Sequence, residues 1–216
     1  MSLKRTSLFM ALSLCSAIAV QSSAQGPTHK SLYNDGVAHV QSAPAMPSGP
    51  VDPAKSMDAA VSSLEKLWTG AASAMPADKY SFAPSAAIFV PSQAVKYDGV
   101  RTYAQIVTHT IQANYRYFSI IGGIKPDVDV KAIGELKSKD DILKALADTF
   151  AFAHKAVANV TTANAFDAVP GRPGSNATRV TAFAGAIAHA EDEYGQAVEY
   201  LRMNAIIPPA SAPREP

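Results

Sequence analysis

Apolar side chains recur along this chain at spacings of three and four residues in four separate stretches, the period of a helix with one buried face. Val61, Leu64, Leu67 and Trp68 make the first stretch. Tyr103, Ile106, Val107, Thr110, Asn114, Tyr117, Phe118 and Ile121 make the second, and Ile142, Leu143, Leu146, Phe150, Ala153, Val157 and Val160 the third. In the fourth, Phe183, Ile187, Ala190, Tyr194, Val198 and Leu201 read as the inner face. Beside them runs a second stripe, Ala182, Ala186, His189, Glu193, Ala197 and Tyr200.

Local signals place the ends. Asp52 is a good N-cap and Pro53 suits the first helical position, where a missing N–H costs nothing. Met75-Pro76 closes that helix. Thr102 and Gln105 have the spacing of a capping box, as do Ser138 and Asp141. Gly122-Gly123 stops the second helix, and the loop Pro170–Ser175 separates the third from the fourth. Helices are therefore expected near 53–75, 102–121, 139–162 and 177–204. Residues 77–99 hold Pro84, Pro91 and Gly99 without a sustained period, which predicts a long surface connection rather than a strand pair. The fold class that follows is all-α, a four-helix bundle over 52–211.

The first residues read differently. Lys4 and Arg5 precede an uncharged apolar run from Ser7 to Val20, and Ser22-Ser23-Ala24 offers small residues for a signal peptidase. Residues 1–24 are thus expected to be a signal peptide, since the run is shorter than the ~20 residues needed to span a bilayer. Cleavage would leave no stable membrane anchor and a periplasmic or secreted protein beginning at Gln25. Residues 25–51, rich in Ser, Pro, Gly and Ala, are expected to be a disordered, flexible leader in which His29 and His39 are solvated.

Removing that signal takes away two of the 19 basic groups and none of the 18 acidic ones, so the formal charge moves from +1 to −1. The remaining lysines are spread singly, without the basic stripe of a nucleic-acid binder. Cys15, the sole cysteine, lies in the signal segment. The exported chain therefore has neither a disulfide nor a thiol nucleophile, and its fold rests on its core.

The chemistry concentrates at His189 and Glu193. Four positions apart on one helix, they share a face and can hold one divalent metal ion if another helix supplies a third ligand. His109, on the flank of the second helix's stripe, is the candidate. His154 borders the third stripe and offers an alternative third ligand, while Glu191 and Asp192 are acids beside the site, one of which could orient an imidazole. Asn159-Val-Thr161 and Asn176-Ala-Thr178 fit glycosylation acceptors, a pattern common by chance. The chain has no phosphate-cradling glycine loop, nucleophile elbow or zinc-finger spacing.

The run Ile106-Val-Thr-His109-Thr-Ile-Gln-Ala-Asn114-Tyr-Arg-Tyr-Phe, the segment Lys139-Asp-Asp-Ile-Leu-Lys-Ala-Leu with Phe150-Ala-Phe, and the ending from Glu193 to Ser211 resemble the DinB-like family over most of residues 54–211. The resemblance implies a four-helix bundle, often a homodimer, in which a histidine of the second helix and a His-x-x-x-His pair on the fourth bind a divalent ion such as zinc or nickel. His109 and His189 match two of those ligands, and Glu193 stands where the third histidine is found. Two imidazoles and a carboxylate remain a usable donor set for zinc or non-haem iron.

Two functional expectations follow. One is a metal-dependent enzyme acting on a small molecule, either a hydrolase with Glu193 or Asp192 as base or, as the resemblance implies, a thiol-type transferase. The other is a non-catalytic, metal-free binding or stress-associated bundle in which His109, His189 and Glu193 are ordinary polar residues.

Overall fold

The computed structural model describes residues 49–85, 88, 98–171 and 175–213, all within one compact unit, Pro47–Pro216. The expected signal segment and all of the leader up to residue 48 lie outside the described residues. Four helices make up the fold: α1 (Pro53–Ala74), α2 (Tyr103–Gly122), α3 (Lys139–Val157) and α4 (Arg179–Met203). Among the described residues there is no strand, only an isolated bridge between Ala168 and Thr178. The chain is an all-α four-helix bundle, as its periodicity predicts. Each of α1 and α2 packs on both α3 and α4, so α1 and α2 face one another across one diagonal of the bundle.

The starts follow from side chains that satisfy free backbone N–H groups. Asp52 Oδ1 accepts from Lys55 N–H at 3.1 Å. Thr102 and Gln105 bond reciprocally, at 3.2 and 2.8 Å. Ser138 Oγ accepts from Asp141 N–H at 3.1 Å. The expected return bond from Asp141 is absent from that third cap. Instead, a full capping box opens α4, between Thr178 and Thr181.

The ends depend on distant residues. The last carbonyls of α1 are taken by Tyr103 Oη (to Ala71 O, 2.8 Å), Tyr80 Oη (to Ala72 O, 2.8 Å) and Lys139 Nζ (to Ser73 O and Met75 O, both 2.8 Å). At the end of α2, Asn159 Nδ2 donates to Gly122 O at 3.1 Å and Arg179 to Ile121 O. Both would-be glycosylation triplets thus hold structural residues, Asn159 closing α2 and Thr178 opening α4. Gly123 has φ +65°, the left-handed cap a glycine permits. Gly122 serves another purpose: a Cβ there would lie 2.6 Å from Ala156 Cα, so its bare backbone lets α2 approach α3.

α3 stops at Val157, short of the expected residue 162. Thr161 and Asn164 bond each other's backbone N–H, at 2.8 and 3.3 Å, and Asn164 Nδ2 donates to Asn159 O. These local side-chain bonds give the backbone an alternative to another helical turn.

The core holds Trp68, Tyr103, Phe118, Phe150, Leu64, Leu146 and Leu201, all essentially inaccessible. Each such side chain contributes about 1.5–3 kcal/mol on burial. The buried face of α4 draws on both expected stripes, with Ala190, Val198 and Leu201 of the inner one buried as expected. Ala186, Ala190, Glu193, Ala197 and Tyr200 are buried, whereas Phe183, Ile187 and Tyr194 are half-buried. Small side chains let α4 sit close to its neighbours and push the larger ones to the margins of the contact.

Candidate metal centre

The inward turn of that alanine-rich stripe carries His189 and Glu193 into the contact between α4 and α2, opposite His109. One donor atom from each of His109, His189 and Glu193 lies within 4.8 Å of the others, and this is the one such group of three His, Cys, Asp or Glu residues among the described residues. The three are close enough to hold a metal ion. The imidazoles of His109 and His189 stand edge to face, with centroids 5.2 Å apart and planes at 88°, and Tyr117 lies against His189 at 6.0 Å.

Helix α4 is held from behind. Trp68 Nε1 donates to the carbonyl oxygen of Ala190 at 3.1 Å, and its ring meets Tyr194 edge-on at 6.0 Å. Trp68 is thus the core anchor its position suggests, and it also fixes the turn bearing both α4 donors.

The Glu193 side chain is 5% exposed, and its Oε1 lies 3.4 Å from His109 Nε2 and 3.5 Å from Arg101 Nη1. Burial pushes its carboxyl above the usual range and Asp192 adds to this, while Arg101 and His189 pull it back. Burial lowers the pKa of His109, helped by Arg101, His189 and Arg116. That favours the neutral imidazole, the form that can ligate. Arg101 is itself placed by Tyr200, whose hydroxyl donates to the Arg101 carbonyl at 3.0 Å and whose ring meets Phe82 edge-on.

Two donor atoms in this cluster are buried and have no hydrogen-bond partner among the described residues, His189 Nε2 and Glu193 Oε2. Leaving a polar atom so costs about 1–3 kcal/mol. They lie one helical turn apart on a single helix, beside a third donor from α2. A cation accepting both lone pairs would remove that cost, so the residues present fit a divalent ion.

His154 does not join the site. It lies between α3 and α1, with Nδ1 bonded to Asp58 and Nε2 to Glu65 at 3.2 Å, so both ring nitrogens are engaged. Asp192 is exposed and accepts from Gln196 at 3.3 Å rather than from an imidazole. Glu191 is likewise exposed, and His29 and His39 lie outside the described residues. Arg101 is the site residue that the sequence reading lacks. It lies before the Thr102 cap, outside α2, so helical spacing from His109 does not mark it.

No family model matches this chain, and no curated protein matches its sequence.

Proposed function

We propose that this protein binds a divalent transition-metal ion, zinc, nickel or iron, through His109, His189 and Glu193, and that it is an exported DinB-like metal-dependent enzyme acting on a small molecule. The observation that carries this reading is the pair of buried donor atoms, His189 Nε2 and Glu193 Oε2, that have no hydrogen-bond partner among the described residues and lie beside His109. When bound, the ion supplies Lewis acidity to a group presented to it, which suits a hydrolase or a thiol-type transferase. With three donors from the protein, such an ion would still have room for that group.

The chain's own residues have distinct tasks. His109 brings a neutral imidazole from α2, and Arg101 balances the Glu193 carboxylate and orients it from one side. Trp68 holds the α4 turn. Glu193 in place of a third histidine lowers the charge of the occupied site by one, and Arg101 restores it.

Elemental analysis of protein purified without a histidine tag tests the reading. Stoichiometric metal in the wild type and none in His109→Ala, with helicity unchanged, is the expected result. A metal-free wild type that also refuses zinc at micromolar concentration and neutral pH would favour the non-catalytic bundle instead. Export is tested by the mass of the mature protein, which should begin at Gln25, and homodimerisation by sedimentation.

A further inference from the structure

Two clefts run end to end along the outer side of α2. One, of about 300 Å³, includes Arg101, Gln112 and His109 in its lining. The other, of about 330 Å³, includes His109, Gln112, Arg116 and Lys131. Because both share His109 and Gln112, they form one groove with the imidazole near its middle. His109 and Arg101 are also the two residues through which the groove meets the metal centre.

The far wall of the groove, residues 130–134, is fastened in place. Gln112 Nε2 donates to the carbonyls of Val130 at 2.9 Å and Lys131 at 3.3 Å. Asp129 Oδ1 accepts from the N–H groups of Lys131 and Ala132, at 2.9 and 3.3 Å, and so spends its carboxylate on the wall's own backbone. Gly134 approaches so near that a Cβ would lie 3.1 Å from Gln112 Nε2. A groove built in this way needs little ordering when a ligand arrives.

Its charge is one-sided. Arg101, Arg116 and Lys131 line it, and among the described residues no carboxylate does. Arg101 is turned toward Glu193, with its side chain still 44% exposed. Arg116 lies over the Tyr117 ring at 5.6 Å, and neither it nor Lys131 has an ion-pair partner among the described residues. A concave wall carrying cations of one sign concentrates the field and attracts an anion. Arginine adds a planar fork that matches a carboxylate or phosphate.

We infer that this groove binds a small molecule bearing an oxyanion, a carboxylate or a phosphate, with the anion held by Arg116 and Lys131 and the remainder of the molecule extending along α2 past His109. The combined space suits a ligand of metabolite size. As a statement about the substrate, this rests on the metal reading above. As a statement about anion binding, it does not.

Titration calorimetry on the full mature chain tests the inference, with inorganic phosphate added to metal-depleted protein and succinate added to both metal-depleted and zinc-loaded protein. Succinamide, of similar shape and without charge, is the control. Saturable binding of at least one oxyanion to the metal-depleted wild type is expected, weakened about tenfold or more in Arg116→Gln/Lys131→Gln, as loss of charge-assisted hydrogen bonds requires. Both residues are exposed, and the melting temperature of the double variant verifies its fold. Phosphate alone would identify a phosphate-type ligand, and succinate alone a carboxylate. Binding that the double substitution leaves unchanged, equal binding of succinamide, or no oxyanion binding at all would overturn the inference. Zinc uptake without oxyanion binding sinks the groove and spares the metal site; oxyanion binding without zinc uptake does the reverse.

Discussion

Trp68 and Ala190 are joined by a hydrogen bond from the indole N–H to a helical carbonyl, 3.1 Å long and buried. It ties α1 to the residue immediately after His189, so the aromatic core and the donor pair are one mechanical unit.

Trp68→Phe keeps an aromatic ring in the core and removes that bond. A stability loss of about 1 kcal/mol for the bond is expected, with further loss from the smaller ring. Zinc affinity should fall with it, because the turn bearing His189 and Glu193 loses its anchor. Urea unfolding and chelator competition measure the two effects separately.

In metal-loaded protein, Glu193→Ala or Glu193→His would strand Arg101 beside a divalent charge. Replacing Glu193 by histidine therefore reaches its full effect only when Arg101 is neutralised too. Glu193→His/Arg101→Gln is expected to bind zinc about tenfold more tightly than Glu193→His alone, a difference of about 1.4 kcal/mol, modest for a repulsion between half-exposed charges. Equal affinities would show that Arg101 does not feel the metal.

His154 between Asp58 and Glu65 predicts a pH dependence. Burial alone would lower its pKa, but the hydrogen bonds to the two carboxylates and their charges outweigh it, and the net shift is upward. Two acceptors require two N–H donors, which is the imidazolium. A histidine whose folded pKa exceeds its unfolded value stabilises fully below the unfolded value, and that contribution is lost as pH rises through the folded one. Wild type should therefore lose stability relative to His154→Gln on going from mildly acidic to mildly alkaline solution. Denaturant melts of both proteins across that range check it, and Asp58→Asn/Glu65→Gln should remove the difference.

Gly122→Ala would ordinarily strengthen a helix by roughly 0.5–1 kcal/mol. Here the added Cβ meets the Ala156 backbone at 2.6 Å, so α2 and α3 must separate. A net destabilisation of about 1–3 kcal/mol is expected from overpacking. Gly99→Ala is the contrasting case, since no atom of the described residues lies within 4 Å of its Cβ position while its φ of +81° opposes the change.

Helix starts were legible because an N-cap is a local agreement between a side chain and the N–H groups two or three residues on. Asp52, Thr102 and Ser138 all cap as expected. Helix ends were legible where Pro or Gly marks them, at Met75-Pro76 and Gly122-Gly123, and the one misplaced end, that of α3 at Val157, gives way to the local bonds of Thr161 and Asn164. The buried face of α4 was read only in part, for a different reason. Periodicity weighs large apolar residues most, while close helix contact selects alanine, and Ala186 and Ala197 prevailed over Phe183, Ile187 and Tyr194. The three donors could be found from the i, i+4 spacing on α4 and one flanking histidine on α2. Neither the pairing of Arg101 with Glu193 nor that of His154 with Asp58 and Glu65 has a comparable local mark.

The final carbonyls of α1 belong to hydrogen bonds whose donors come from the segment after it, from α2 and from α3. A helix end usually frays on its own, opening and closing while the rest of the molecule stays folded. This one can fray only if Tyr80, Tyr103 and Lys139 let go together. Its last turn is consequently bound to the global opening of the bundle, and amide hydrogen exchange there should be as slow as in the middle of α2.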